Sequence, residues 1–320
     1  MKPVPFALFG ASGAIGAGIA AALRAAGLSY RVVGRTESGL RRAFGADPRA
    51  EIATWNPDDP ASVQAAAAGV DTLVYLVGVP YDRFHLHPVL LRKTLDGAIA
   101  AGVRRVVLIG TLYPFGRPQT ATVDENHPRE PHTRKGRWRK EQEDVLLAAH
   151  ASGRIEGTIL RLPDFYGPGV ESSFLHDLFA AIAAGRRAKL VGPIDPPHEY
   201  VFVPDVGPVV VRLAQMPAAY GRAWNLGGAG AIAPREFARR AFAAAGQRPR
   251  LIVAGKTLLR VLGLFDPFMR ELVEMHYLLT DPVIVDDRAL RQLLGGLEKT
   301  SYDEGIQRCL AAAEAATPRT

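Results

Sequence analysis

Cysteine is all but absent from this chain. Cys309 stands alone, which excludes an internal disulfide and a cysteine-rich metal site. No apolar run reaches the length of a membrane span, because Arg, Asp or Pro interrupts every candidate. No aromatic-basic surface motif accompanies the formal charge of +7, so the charge does not read as nucleic-acid binding. With arginine scattered along the sequence, the basic excess favours small anions, a phosphorylated cofactor among them. No secretory signal is visible, since Met1-Lys2-Pro3 runs straight into an apolar stretch, and a cytoplasmic location is expected. What is present suits a globular enzyme: 48% hydrophobic and 22% charged residues are too apolar for disorder, and 320 residues fit one large or two intimate domains.

The organising stretch is Phe6 to Gly34. Phe6-Ala7-Leu8-Phe9 reads as a strand, Gly10-Ala11-Ser12-Gly13-Ala14-Ile15-Gly16 as a tight turn, the Ala-rich segment to Ala26 as a helix and Tyr30-Arg31-Val32-Val33 as the next strand. Glycines in that turn let the backbone approach a pyrophosphate, whose charge then rests on amides at the helix N-terminus. Gly10, Ser12, Gly13, Ala14, Ile15 and Gly16 are therefore the expected dinucleotide cradle. After the second strand, a fold specific for NAD usually places an acid on the ribose hydroxyls. Here Arg35 fills the position, which suits a 2′-phosphate and points to NADP rather than NAD; the bland reading is a solvated arginine on a surface turn.

Further on, residues 51–54 can form a third strand, 61–68 an Ala-rich helix with Asp59 or Ser62 to cap it, and 71–78 a strand buried on both faces. A helix over 88–101 and a strand over 103–110 continue the alternation. Strand and helix in turn predict a parallel sheet wrapped by helices, with its ligand at the carboxyl ends of the strands.

Several segments resemble the extended branch of the short-chain dehydrogenase/reductase family, the NAD(P)-dependent epimerases, dehydratases and reductases. Gly10, Gly13 and Gly16 match its glycine motif. Asn56 to Val63 with Gly69-Val70-Asp71 resembles "D-L-x-D-P-x-S-(V/L)…G-V-D", with Asn56 where an Asp often contacts adenine. Leu160 to Gly169 resembles "L-R-P-x-N-V-Y-G-P-G", His198 to Val206 "R-D-(Y/F)-(I/V)-H-V-x-D-V", and Trp224-Asn225-Leu226-Gly227-Gly228 "(Y/F)-N-(L/I)-G-G". The resemblance implies an α/β fold: a Rossmann-type doubly wound parallel sheet with a smaller α+β substrate domain. The dinucleotide domain is expected over 1–166 with 199–222, and the substrate domain over 167–198 with 223–320. Within the latter, the segment from Lys256 to Leu279 would cover the cleft or pack as a core-facing amphipathic helix broken near Gly263 and Pro267. The resemblance also implies a small-molecule substrate and a homodimer through helices at 88–101 and 138–150.

The family's machinery is a Ser or Thr with a Tyr and a Lys spaced Y-x-x-x-K. Thr111 maps onto the hydroxyl residue. The tyrosine does not map: the region of "Y-G-x-S-K-x-x-x-E" reads Thr133-Arg134-Lys135-Gly136-Arg137-Trp138-Arg139-Lys140-Glu141-Gln142-Glu143, and Gly136 stands four before Lys140. Lys140 is expected to hold the ribose. Tyr113 is the preferred substitute proton donor and Tyr166, beyond the nicotinamide-side Pro163, the second; either is expected near the ordinary phenol pKa of about 10, an acid more than a base.

Asp164 and His198 take the places where nucleotide-sugar enzymes of the family use Asn and Arg, which disfavours a diphosphate; His87 replaces an Asn near the cleft. His85, His87 and His198 show no helical metal-ligand spacing, and no metal is expected. The reading that results is NADP(H)-dependent reduction of a carbonyl or polarised double bond in a small, largely apolar substrate. The alternatives are a sugar-type epimerase or dehydratase, and a silent dinucleotide sensor with its pocket plugged by side chains such as Trp138.

Overall fold

The computed structural model describes residues 4–170, 173–262, 264 and 267–316. The elements run β1 (Val4–Phe9), α1 (Ala14–Ala25), β2 (Tyr30–Gly34), α2 (Glu37–Phe44), β3 (Ala50–Thr54), α3 (Pro60–Ala67), β4 (Val70–Tyr75), α4 (Leu86–Ala100), β5 (Arg105–Thr111), α5 (Arg134–Ala151), β6 (Glu156–Leu162) and β7 (Asp164–Tyr166). They continue with α6 (His176–Ala183), β8 (Ala188–Val191), β9 (His198–Phe202), α7 (Val203–Gln215), β10 (Ala223–Asn225), β11 (Ala231–Ile232), α8 (Pro234–Ala244), β12 (Leu251–Ala254), α9 (Lys256–Leu262), α10 (Pro267–Met275), α11 (Tyr277–Thr280), α12 (Arg288–Leu294) and α13 (Tyr302–Ala316).

Seven strands form one parallel sheet in the order β10-β6-β5-β4-β1-β2-β3. The central strands read as apolar runs because both faces are covered. On one face, Ile19 and Leu23 of α1, Leu40 of α2 and Val206, Val210 and Leu213 of α7 pack on Leu8, Val32 and Val107. On the other, Val63 of α3, Leu91 and Leu95 of α4 and Leu146 of α5 pack on Phe9, Leu73 and Val106. This is the doubly wound Rossmann-type architecture expected. The chain leaves β1 in both directions, through β2 on one side and β4 on the other, which opens a crevice above its carboxyl end.

A second core gathers Tyr166, Leu178, Ile182, Tyr200, Phe237, Phe242, Ile306 and Leu310 under α6, α8 and α13, beside the small sheets β11-β9-β7 and β12-β8. Two pieces that the sequence grouped with this layer lie elsewhere. β10 extends the large sheet through Trp224 against Leu160, and α12 buries Leu290 and Leu294 on the large sheet's core. Asp59 caps α3 by accepting from the amide of Ala61, and the hydroxyl of Ser62 accepts from that of Asn56. The cover expected over 256–279 is three short helices, α9 to α11. Leu272 and Leu278 face inward and Leu264 is exposed; Gly263, Phe265 and the side chains of Leu258, Leu262, Phe268 and Met269 lie outside the described residues.

Candidate active site

A cleft of about 990 Å³ opens over the carboxyl ends of β1, β4, β5 and β6. Gly13 to Gly16 form its floor at one end, Leu76 to Val79 and Ile109 to Tyr113 its middle, and Leu162 to Phe165 its far side. The glycines divide the work of the floor. Gly10 holds φ at +89°, and an added Cβ would stand 2.7 Å from the Cα of Val77. Gly16 is pressed against the backbone of Ala11, so it too has no room for a side chain. A Cβ on Gly13 would meet nothing within 4 Å, and no side chain caps the helix that begins there. The amides at the start of α1 therefore face open space above packed glycines, which fits a pyrophosphate. Arg35 projects exposed beyond the end of β2. Asn56 lies exposed beyond β3 and its side-chain oxygen accepts from the amide of Asp58, outside the cleft.

The middle of the cleft is built around the ring of Phe84. The rings of Tyr81, His87 and Tyr113 lie 5.0, 4.7 and 6.3 Å from it. The hydroxyls of Tyr81 and Tyr113 are 3.0 Å apart. Burial pushes both phenols up, that of Tyr113 well above its ordinary value, rather than leaving it near 10 as expected from sequence. The hydroxyl of Thr111 accepts from the amide of Tyr113 at 3.4 Å, so the strand end and the phenol are held as one unit. Pro163, Asp164 and His198 line the far wall. Burial raises the Asp164 carboxyl to about 7 against the amides of Phe165 and Phe174 and the hydroxyl of Ser173. Burial also lowers His198 to about 4, so its imidazole is neutral at physiological pH.

A family model for the NAD dependent epimerase/dehydratase family matches residues 7–227. The chain belongs to that family. As a member of it, the chain is an NAD(P)-dependent enzyme. A dTDP-6-deoxy-L-talose 4-dehydrogenase (NAD(P)(+)) from Kitasatospora kifunensis is 27% identical over 230 residues, 66% of this chain and 70% of that one. Protein YeeZ of Escherichia coli K12 is 35% identical over 112 residues, 35% of this chain and 39% of its own length. Among solved structures, the dTDP-glucose 4,6-dehydratase DesIV of Streptomyces venezuelae superposes with a TM-score of 0.80 at 18% identity, covering 98% of both chains. The UDP-glucuronic acid 4-epimerase of Bacillus cereus, in complex with NAD, gives 0.79 at 15% identity over 98% of this chain and 97% of its own.

The structure corrects the register of the epimerase/dehydratase motif on α5. Lys140 does not face the cleft: it pairs with Asp144 at 2.9 Å on the outer side of the helix. One residue along a helix turns the side chain by about 100°, and the α5 cation that lines the cleft is Arg139. Read one residue earlier, the pattern "Y-G-x-S-K-x-x-x-E" falls on Lys135, Gly136, Arg139 and Glu143. Glu143 accepts from Arg161 at 2.8 and 2.7 Å and from Arg129 at 2.9 Å, deep under the helix. Gly136, followed by a cation three residues on and an acid seven residues on, was the available signal. On that register Lys135 takes the place of the motif's tyrosine. Its side chain is 0% exposed and is bonded to Glu271 and Glu274 of α10.

Tyr166 is a second correction. It is buried among Phe202, Phe237 and Tyr302 in the core of the smaller layer and does not line the cleft. Trp138 does not plug the cleft either; it packs edge-on to His85. Tyr81, which no motif singles out, is brought to Tyr113 only by the fold.

Proposed function

We propose that this protein is an NADP(H)-dependent oxidoreductase that reduces a carbonyl or polarised double bond in a small, non-nucleotide substrate. The reading is carried by the paired hydroxyls of Tyr81 and Tyr113 on the cleft wall beside Thr111. The amides of Gly13 to Gly16 would hold the pyrophosphate, Arg35 the 2′-phosphate and Arg139, in the place expected for a lysine, the ribose hydroxyls. NADPH, when bound, supplies hydride.

The chain's own groups handle the proton. Buried phenols with raised pKa stay protonated near neutrality, so Tyr113 offers its O–H to a substrate oxygen and lends it the proton as negative charge develops. Tyr81 stands within hydrogen-bond distance to pass a proton back to Tyr113. The same raised pKa leaves almost no phenolate to act as a base near neutrality, which favours reduction over alcohol oxidation. Tyr75, Phe84, Phe174, Leu272 and Leu278 supply an apolar lining.

The second reading is a nucleotide-sugar epimerase or dehydratase, the activity that several similar proteins carry in their names. Lys189 on the cleft wall favours it as a cation for a diphosphate. Asp164 and the neutral His198 on the same wall oppose it, because neither supplies a cation and Asp164 adds negative charge as it ionises above about pH 7. Following NADPH oxidation with a panel of aldehydes, ketones and enones, beside titration with UDP-glucose and dTDP-glucose, separates the two. Carbonyl-dependent oxidation without sugar-nucleotide binding is the expected result. Saturable binding of either sugar nucleotide, with no carbonyl reduced, overturns the reductase reading.

A further inference from the structure

The cleft holds an imidazole whose proton is placed by its neighbour. Nη1 of Arg139 lies 3.1 Å from Nδ1 of His87, and Nη2 of the same guanidinium donates to the carbonyl of Ile109 at 3.2 Å. A guanidinium has no acceptor and keeps its proton, so at this contact it can only donate. Nδ1 must therefore present its lone pair, and the ring's single proton sits on Nε2. Burial first, and the adjacent positive charge second, disfavour a second proton. Nδ1 makes the ring's bond inside the protein, and Nε2 is left to the cleft that His87 lines. The ring is held edge-on to Phe84 at 4.7 Å, the same ring that positions Tyr113.

We propose that His87 donates an Nε2–H hydrogen bond to a substrate oxygen, and that Arg139 is the positioning residue that fixes this tautomer. The inference rests on the reductase reading and deepens it. A carbonyl oxygen has two lone pairs, and the wall around Phe84 carries two neutral donors, the phenol of Tyr113 and this imidazole. Neutral donors suit an uncharged ketone, aldehyde or enone whose oxygen gains charge only during reaction. A neutral imidazole does not readily surrender its remaining proton, so His87 stabilises that charge while Tyr113 supplies the proton. The other titratable groups on this cleft are Arg139 from α5, Tyr75 at the end of β4, Tyr81, Asp82 and Tyr113 near Phe84, Asp164, Lys189 from β8, and His198 and Glu199 from β9.

The test is long-range proton–nitrogen NMR on protein labelled in its eight histidines, with His87→Asn to assign the resonance. The expected result is an Nε2–H ring that stays neutral well below the ordinary imidazole range, and that in Arg139→Gln titrates closer to the ordinary value of about 6.5. With NADP+ present, benzaldehyde, cyclohexanone and cyclohexenone are the probes, and at least one should shift the Nε2 signal. An Nδ1–H ring, titration near 6.5 in the unaltered protein, or an Nε2 signal unmoved by all three probes overturns the proposal. For any carbonyl that is turned over, His87→Phe should lower kcat about 10²-fold with KM little changed, and His87→Asn, which keeps an N–H donor, should recover part of it. Equal losses in both variants overturn the donor role. Absence of turnover with every carbonyl defeats the reductase reading instead, and the resonance still decides the tautomer and the contact.

Discussion

Lys135 stands one helical turn before Arg139 on α5, and both are buried cations. Arg139 faces the cleft, whereas the ammonium of Lys135 lies 5.6 and 6.0 Å from the ring centroids of Tyr81 and Phe84 and is bonded to Glu271 and Glu274. A cation there cannot act as the missing phenol. It ties the covering helix α10 to the wall on which Tyr81 sits.

Lys135→Met is accordingly expected to destabilise the protein by about 2 kcal/mol. This is less than the ~3–5 kcal/mol of a fully buried pair, because both carboxylates keep some contact with water. Burial acts on Glu274 to raise its pKa, but the hydrogen bond and charge of Lys135 and the amides of Arg134 and Lys135 outweigh it and hold the carboxyl below its ordinary value. A depressed carboxyl contributes stability above its unfolded pKa and loses it as pH falls through the folded one. Urea denaturation should therefore show the variant's deficit at neutral pH and its shrinkage below about pH 4.

Asp164 is expected to act in the opposite sense. Its folded pKa, about 7, lies above the unfolded value, so between roughly pH 4 and 7 the folded state binds more protons and stability falls as pH rises. Asp164→Asn should raise Tm at about pH 8 and change it little near pH 4. An equal effect at both would show that the carboxyl ionises normally.

Gly13 and Gly16 should separate cofactor binding from folding. Gly16→Ala drives a Cβ into the backbone of Ala11 and should cost about 1–3 kcal/mol of stability. Gly13→Val fills only open cleft, so Tm should hold while dinucleotide affinity falls at least tenfold, read by calorimetric titration.

Arg35→Asp should exchange the coenzyme preference. A loss of NADP affinity relative to NAD of tenfold or more, about 1.4 kcal/mol, is expected. An unchanged ratio would make Arg35 a solvated surface residue.

The sheet was legible because β1, β4 and β5 are buried on both faces and so read as unbroken apolar runs, and because only glycine fits at Gly10 and Gly16. The cleft residues Thr111, Pro163, Asp164 and His198 were placed there by motif register alone. Register failed on α5. Arg and Lys are adjacent there, and a slip of one residue exchanged the cation facing the cleft for one facing Asp144. Tyr166 was mistaken for a cleft residue because its ring turns to the second core, set by helices α8 and α13 far along the chain. The pairing of Tyr81 with Tyr113, and of Lys135 with Glu271 and Glu274, depends on contacts across 32 and up to 139 residues, which no local pattern encodes.

The most direct measurement is NADPH oxidation across the carbonyl panel by the unaltered protein and by Tyr113→Phe. With the phenol as proton donor, at least one carbonyl is reduced, and the variant loses about 10²-fold in kcat while binding NADPH as before. Turnover that survives the substitution undiminished would contradict the account.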